Sequence, residues 1–335
     1  MTKREAYERY EQLHEQMKLG GGEKRIEAQH EKGKLTARER LEKLLDEGSM
    51  IEQLPYVTGR STSFGMEKKR FLGDGVISGS GKIDGRQVYF SSQDFTVFGG
   101  SLGEMHAERI AEAQEGSMRN GCPFIQINDS GGARIQEGVL SLHGYAKIFR
   151  ANTLASGLVP QISVILGPCA GGAVYSPAIT DFICMVDGIS RMYITGPEVI
   201  RAVTGEEINH EELGGAAAHN GKSGVAHFRF GSEEECMNFL RRFLAYLPSN
   251  NSEAAPVAEC EDPLDRETGR VWELLPDDEK QVYDVKEVID EVFDRGSFIE
   301  VQKEWAGNVV VGFAKLAGRT VGICANQPKV QAAVL

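Results

Sequence analysis

A chain of 335 residues, 41% hydrophobic and 26% charged, has the make-up of an ordinary globular protein and exceeds one typical core. Its formal net charge of −12 opposes bulk binding to nucleic acid or to an anionic membrane surface, so an anionic ligand needs locally gathered Lys and Arg. No run approaches the roughly 18 apolar residues of a membrane span and the charged start lacks a secretory apolar core, which predicts a cytoplasmic protein.

Residues 1–47 read as a helical arm, with a capping box at Thr36-Ala-Arg-Glu39 before Leu41, Leu44 and Leu45, and Gly48 ending the helix. Lys24, Arg25, Lys32, Lys34, Arg38 and Arg40 crowd its second half. They read first as a solvated face interleaved with Glu, and otherwise as a site for a polyanion. Two apolar runs then flank Asp84-Gly85, a hairpin signal, and units of helix and strand follow to Tyr246. That alternation predicts an α/β fold with a mainly parallel, right-handed arrangement.

Within these units lie two glycine-rich turns, Asp129-Ser-Gly-Gly-Ala-Arg134 and Gly167-Pro-Cys-Ala-Gly-Gly172. Each follows an apolar strand and opens a helix, the first running from about Ile135 to Ser156 and the second starting near Ala173. Helix N-termini carry unpaired N–H donors and glycine permits close approach, so the pair suits an oxyanion and argues for carbonyl chemistry, on a thioester in particular. One such turn alone would read as packing; two at strand carboxyl ends read as a site. The six cysteines show no C-x-x-C and no His grouping, and read as small buried hydrophobes, Cys169 beside the second turn included. No metal site is expected.

Residues 248–270 have the composition of a linker, and beyond them the chain repeats itself. Asp294–Glu300 echoes Asp46–Glu52, and Val309–Val321 echoes Val76–Val88, a sign of duplication. The expected division is 1–47 arm, 48–247 first domain, 248–270 linker and 271–335 the opening of a second domain, incomplete because nothing in it matches a glycine turn.

With Asp94–Ser101, Asn128–Gly138, Gly167–Pro177, Ile194-Thr-Gly-Pro197 and Ser223-Gly-Val-Ala-His227 taken together, the chain resembles the carboxyltransferase subunits of biotin-dependent acyl-CoA carboxylases. The resemblance is to the propionyl-CoA carboxylase β and methylmalonyl-CoA carboxyltransferase or decarboxylase α type and covers nearly the whole chain. It implies two crotonase-like domains, each a spiral of ββα units. It further implies carboxyl transfer between carboxybiotin and the α-carbon of a short-chain acyl-CoA, with a biotin carboxyl carrier protein and a biotin carboxylase subunit as partners and a homohexamer as assembly.

By the same resemblance, backbone N–H groups at Gly131, Gly132, Ala133, Gly171 and Gly172 would stabilise the enolate, each worth about 3 to 4 kcal/mol in the transition state. Arg38, Arg134 and Ala170 are the candidates for holding CoA. Biotin's own ring nitrogen takes the α-proton in the family's mechanism, so Glu137 and Arg134 are also read as structural or charge-placing, and His143 as packing. Two alternatives stay open: a crotonase-type hydratase or isomerase, which needs a Glu over the acyl chain and finds none in Ala173–Asp181, and an inactive acyl-CoA-binding fragment.

Overall fold

The computed structural model describes residues 1–263, 265–278 and 281–331. Three helices open the chain, α1 (Lys3–Lys18), α2 (Glu23–His30) and α3 (Ala37–Leu44). The capping box forms: Thr36 Oγ1 accepts the Glu39 N–H and the Glu39 carboxylate accepts the Thr36 N–H. The helix stops at Leu44, short of Gly48, because Leu45 turns extended and seats its side chain in the core.

The short strand β1 (Ile51–Glu52) pairs antiparallel with β2 (Val76–Ile83), and β2 with β3 (Arg86–Gln93). Asp84 and Gly85 join β2 to β3 with φ of +48° and +78°, the primed geometry whose twist matches a tight hairpin. From β3 the sheet continues in parallel through β4 (Phe124–Ser130), β5 (Gln161–Ala170), β6 (Phe182–Val186) and β8 (Phe228–Phe230), while β7 (Arg191–Tyr193) pairs with the end of β5. Helices α4 (Glu104–Asn120), α5 (Val139–Ala155) and α6 (Gly172–Ala178) make the crossovers, followed by α7 (Pro197–Thr204), α8 (His210–Gly214), α9 (Ala216–Gly221) and α10 (Glu233–Leu244). One sheet face buries Ile125, Ile127, Val164 and Leu166 against α3 and α10; the other buries Phe124, Ile165 and Met185 against α4 and α5.

Beyond α10, residues 248–263 run without helix or strand. After α11 (Val271–Leu274) and α12 (Val285–Val292), a second sheet of β9 (Ile299–Val301), β10 (Val309–Leu316) and β11 (Arg319–Asn326) forms in the order β11-β10-β9. The duplication seen in sequence is reproduced bond by bond. Ile51 and Glu52 pair with Ser80 and Gly79, and the matching Ile299 and Glu300 pair with Phe313 and Gly312. Asp46 accepts the Asp84 and Gly85 N–H groups at 3.0 and 2.8 Å; Asp294 accepts those of Ala317 and Gly318 at 2.9 and 2.7 Å.

The equivalence reaches further upstream than the sequence reading did, since α12, capped by Asp284, stands to β9 as α3, capped by Thr36, stands to β1. Helices α3 and α12 thus occupy equivalent positions ahead of the two repeated strand sets. The second sheet packs on the first unit through Phe313, which meets Phe182 and Phe243, and through the Tyr246 hydroxyl, which donates to the Ser297 carbonyl at 2.6 Å.

Candidate active site

The parallel register of β4 with β5, ending at Ser130 opposite Cys169, brings the two glycine turns side by side. Gly132 has φ +100°, and a Cβ there would lie 2.8 Å from the Ala170 carbonyl oxygen, so the turns touch through backbone alone. The first turn does not open a helix directly, as the sequence suggested. A 3₁₀ turn (Ile135–Glu137) and Gly138, with φ +54°, intervene before α5 begins at Val139, so no helix dipole points at Gly131–Ala133. The second turn does: Gly171, at φ +57°, caps α6, whose first residue is Gly172.

Three of the five N–H groups expected to face an oxyanion are already spent. Gly131 donates to the Gly99 carbonyl at 3.0 Å, Gly132 to Ser130 Oγ at 3.1 Å, and Gly171 to the Tyr193 and Ile194 carbonyls at 3.3 and 3.1 Å. Those bonds stitch the turns to their neighbours. The N–H groups of Ala133 and Gly172 have no acceptor among the described residues, one on each turn. Two N–H donors on adjoining turns are what a single carbonyl oxygen gathering negative charge requires.

Gly172 lies against the Tyr145 ring, 2.8 Å from where its Cβ would be, which fixes the floor beneath its N–H. Cys169 is fully buried, with its thiol directed to the Ala173 carbonyl, and burial raises its pKa far above the ordinary thiol value, so it is a packing residue and not a nucleophile. Cys122, Cys184 and Cys236 are buried as expected; Cys260 is half-buried and Cys324 exposed, the latter on the outermost strand β11.

The side chains singled out for CoA are placed differently from expectation. Arg134 is buried, bonding Asp74 Oδ1 at 2.7 Å, Glu137 Oε1 at 2.8 Å and the Ser101 carbonyl at 2.9 Å, with its guanidinium over the Phe98 ring. Arg38 pairs with Glu52 at 2.8 Å and is mostly covered. Both are committed to the frame, and only Ala170, at the end of β5, stands at the site. Glu137 also accepts the Glu104 N–H at 2.7 Å, so the carboxylate that follows the first turn is locked into structure. His143 is exposed on α5 and does not pack, because it falls on the solvent side of that helix.

His106 sits fully buried in this network, with Nδ1 against the Asp74 carbonyl at 3.1 Å and Nε2 against Gln93 at 3.3 Å. Burial, then the nearby Arg134 and Arg109 guanidinium groups, hold it neutral well below the usual imidazole value. The unfolded chain takes up a proton below about pH 6.5 that the folded His106 refuses, so this contribution is present above that pH and is lost on acidification at about 1.4 kcal/mol per pH unit. Denaturant unfolding at pH 7.5 and 5.5 should therefore show a loss of stability that is about 1 kcal/mol smaller in His106→Gln; an unchanged pH dependence in the variant would contradict the assignment.

The cations of the arm divide: Lys24, Arg25 and Lys32 are exposed, as a solvated face requires, whereas Lys34, Arg38 and Arg40 are drawn into ion pairs. Lys34 Nζ lies 2.6 Å and Arg40 Nη1 3.0 Å from Asp129 Oδ2, all three side chains buried, and Arg40 bonds Glu233 through Nε at 2.8 Å. Arg25 and Lys32 remain at the surface and line a cavity of about 280 Å3 with Gln29, Phe95, Thr96 and Phe98. Gly99, also on its wall, is the residue that receives the Gly131 N–H, so this cationic cavity adjoins the first turn. Among the described residues no group of three or more His, Cys, Asp or Glu converges on a metal position, and no helix is long and apolar enough to cross a membrane.

Residues 28–335 match the carboxyl transferase domain family. The chain is 56% identical over 331 residues to methylmalonyl-CoA decarboxylase subunit alpha of Veillonella parvula, covering 98% of this chain and 65% of that protein. It is 52% identical over 335 residues to the propionyl-CoA carboxylase carboxyltransferase subunit of Haloferax mediterranei, covering 100% and 65%. Among solved structures it superposes on a chain of the transcarboxylase 12S crystal structure, described as a hexamer assembly with methylmalonyl-CoA and methylmalonic acid bound, with a TM-score of 0.97 at 46% identity, over 100% of this chain and 65% of that one. The chain thus spans about two thirds of the length of these relatives.

Proposed function

The chain belongs to the carboxyl transferase domain family, with its crotonase-like α/β fold, and from that premise we propose that it moves a carboxyl group between carboxybiotin and the α-carbon of a short-chain acyl-CoA such as propionyl-CoA, acetyl-CoA or methylmalonyl-CoA. The observation that carries this is the pair of free N–H groups, Ala133 and Gly172, on two adjoining turns. They take the thioester oxygen and grow stronger as it becomes an enolate oxyanion, which lowers the barrier to making or breaking the bond at the α-carbon. Biotin, borne on a carrier protein, supplies the carboxyl group and the basic ring nitrogen. The two N–H groups match one carbonyl oxygen rather than the fused rings of biotin, and no biotin cradle is assigned to these residues.

The cavity lined by Arg25 and Lys32 takes the CoA phosphates in place of Arg38 and Arg134, because it is cationic, adjoins the first turn and holds Lys32, which has no carboxylate partner among the described residues. Lys32→Glu combined with Arg25→Glu is expected to weaken acyl-CoA binding at least tenfold in titration calorimetry; unchanged affinity would place CoA elsewhere. Residues 36–247 form the acyl-CoA unit, 248–270 the connection and 271–335 the opening of the biotin-facing unit. The exposed Ile135, Val139, Leu142 and Ile194 beside the turns suit a subunit contact in a homo-oligomer, the hexamer of transcarboxylase 12S being its pattern. Biotin carboxyl carrier protein and biotin carboxylase are the other proposed partners, in the cytoplasm.

The test is carboxyl transfer by the protein assembled with its biotin partners. Label from bicarbonate or methylmalonyl-CoA should exchange with propionyl-CoA in the presence of biotinylated carrier, and crotonyl-CoA should not be hydrated. Hydration without transfer would replace this reading with the hydratase, for which the locked Glu137 provides no base.

A further inference from the structure

Asp129 places a carboxylate immediately before the first glycine turn, and nothing in the carbonyl chemistry uses it. It is fully buried, its Oδ2 shared among Lys34 Nζ at 2.6 Å, Arg40 Nη1 at 3.0 Å and Gln29 Nε2 at 3.2 Å, while Oδ1 has no donor. Oδ1 presses on the Gly167 backbone at the start of the second glycine turn: a Cβ on Gly167 would be 1.8 Å from it and 2.8 Å from Lys34 Nζ. The carboxylate therefore touches the bases of both turns. A buried negative charge there opposes the charge that the turns are built to stabilise, since charges interact strongly where water is excluded.

Arg40 does not cancel it, because its Nε and Nη2 carry the two oxygens of Glu233 at 2.8 and 3.0 Å. Lys34 makes its one ion pair with Asp129 and is itself buried. We propose that Lys34 is a positioning residue for the acyl-CoA site: by neutralising Asp129, whose carboxylate lies against Gly167, it leaves the N–H groups of Ala133 and Gly172 free to polarise a thioester carbonyl. It touches neither substrate nor the reacting atoms. The inference rests on the acyl-CoA reading above.

The readout is the isotope-edited infrared band of propionyl-CoA labelled with ¹³C at the thioester carbonyl, bound to the full chain, with affinity from calorimetry and folding checked by circular dichroism. In the wild type the band should move to lower frequency on binding. Lys34→Met should lose most of that displacement and bind about tenfold more weakly, and Lys34→Met with Asp129→Asn should regain the displacement because the uncancelled charge is gone. The double variant leaves no buried unpaired charge, so it folds even if the single variant does not, and its recovered band then carries the test. A wild-type band in Lys34→Met, or no recovery in the double variant, would overturn the proposal while leaving the acyl-CoA reading in place. Failure of the wild type to bind propionyl-CoA at all would overturn both.

Discussion

Gly132→Ala is expected to cut carboxyl transfer by about 10²- to 10³-fold, the cost of losing one oxyanion donor. Gly132 occupies φ +100°, a region closed to L side chains, and a methyl group there would stand 2.8 Å from the Ala170 carbonyl oxygen. That oxygen belongs to backbone at the end of a central strand and does not swing aside, so the turn must yield and carry the next N–H, that of Ala133, out of line. Gly131→Ala is the internal control: its Cβ would meet the Gly99 carbonyl oxygen at an ordinary 3.6 Å, and its N–H is spent on that same oxygen. Steady-state transfer should separate the two neighbours sharply, with both variants folded. Equal losses would mean that the site depends on the Gly-Gly loop as a whole and not on the Ala133 N–H.

Arg40→Met is expected to lower stability by about 3–5 kcal/mol in urea unfolding, because it strands Glu233 as an uncompensated buried charge and removes one of the three donors on Asp129. The side chain is wholly buried between α3, the end of β4 and the start of α10, and it also donates to the Leu166 carbonyl at 2.8 Å. It is the bolt between the opening helices and the sheet that bears both turns. A loss below about 1 kcal/mol would show that the network is cancelled locally and does not anchor α3.

The parts of this architecture that were legible in the sequence are those written in neighbouring residues. Asp84-Gly85 announces its hairpin, Thr36 and Glu39 their capping box, and the echo of Asp46–Glu52 in Asp294–Glu300 a repeat that the bond pattern matches at Asp46 and Asp294. That the two glycine turns end neighbouring parallel strands was legible in the same way, from the apolar run before each. Which N–H groups remain free was not legible, since Gly131 is answered by Gly99 and Gly171 by Tyr193 and Ile194, partners that only the fold brings near.

The buried charges were missed for the same reason, Lys34 and Arg40 meeting Asp129 from far along the chain. A local signal did exist for Arg40. It falls with Ala37, Leu41 and Leu44 on the buried face of α3, and Val288 takes its place in α12 of the repeated unit, so an arginine there stands where the pattern calls for an apolar residue. Arg134 and Arg38 were expected to hold CoA only through the resemblance, yet each lies within reach of an acidic partner, Asp74 and Glu52 respectively, and a buried guanidinium is satisfied by the carboxylate the fold delivers.

The most direct measurement is a crystal structure of the protein with propionyl-CoA. The thioester oxygen should lie within about 3 Å of both the Ala133 and the Gly172 nitrogens, with the phosphates over Arg25 and Lys32. A thioester bound away from that pair of N–H groups, or one whose oxygen is held by other donors, would contradict the account.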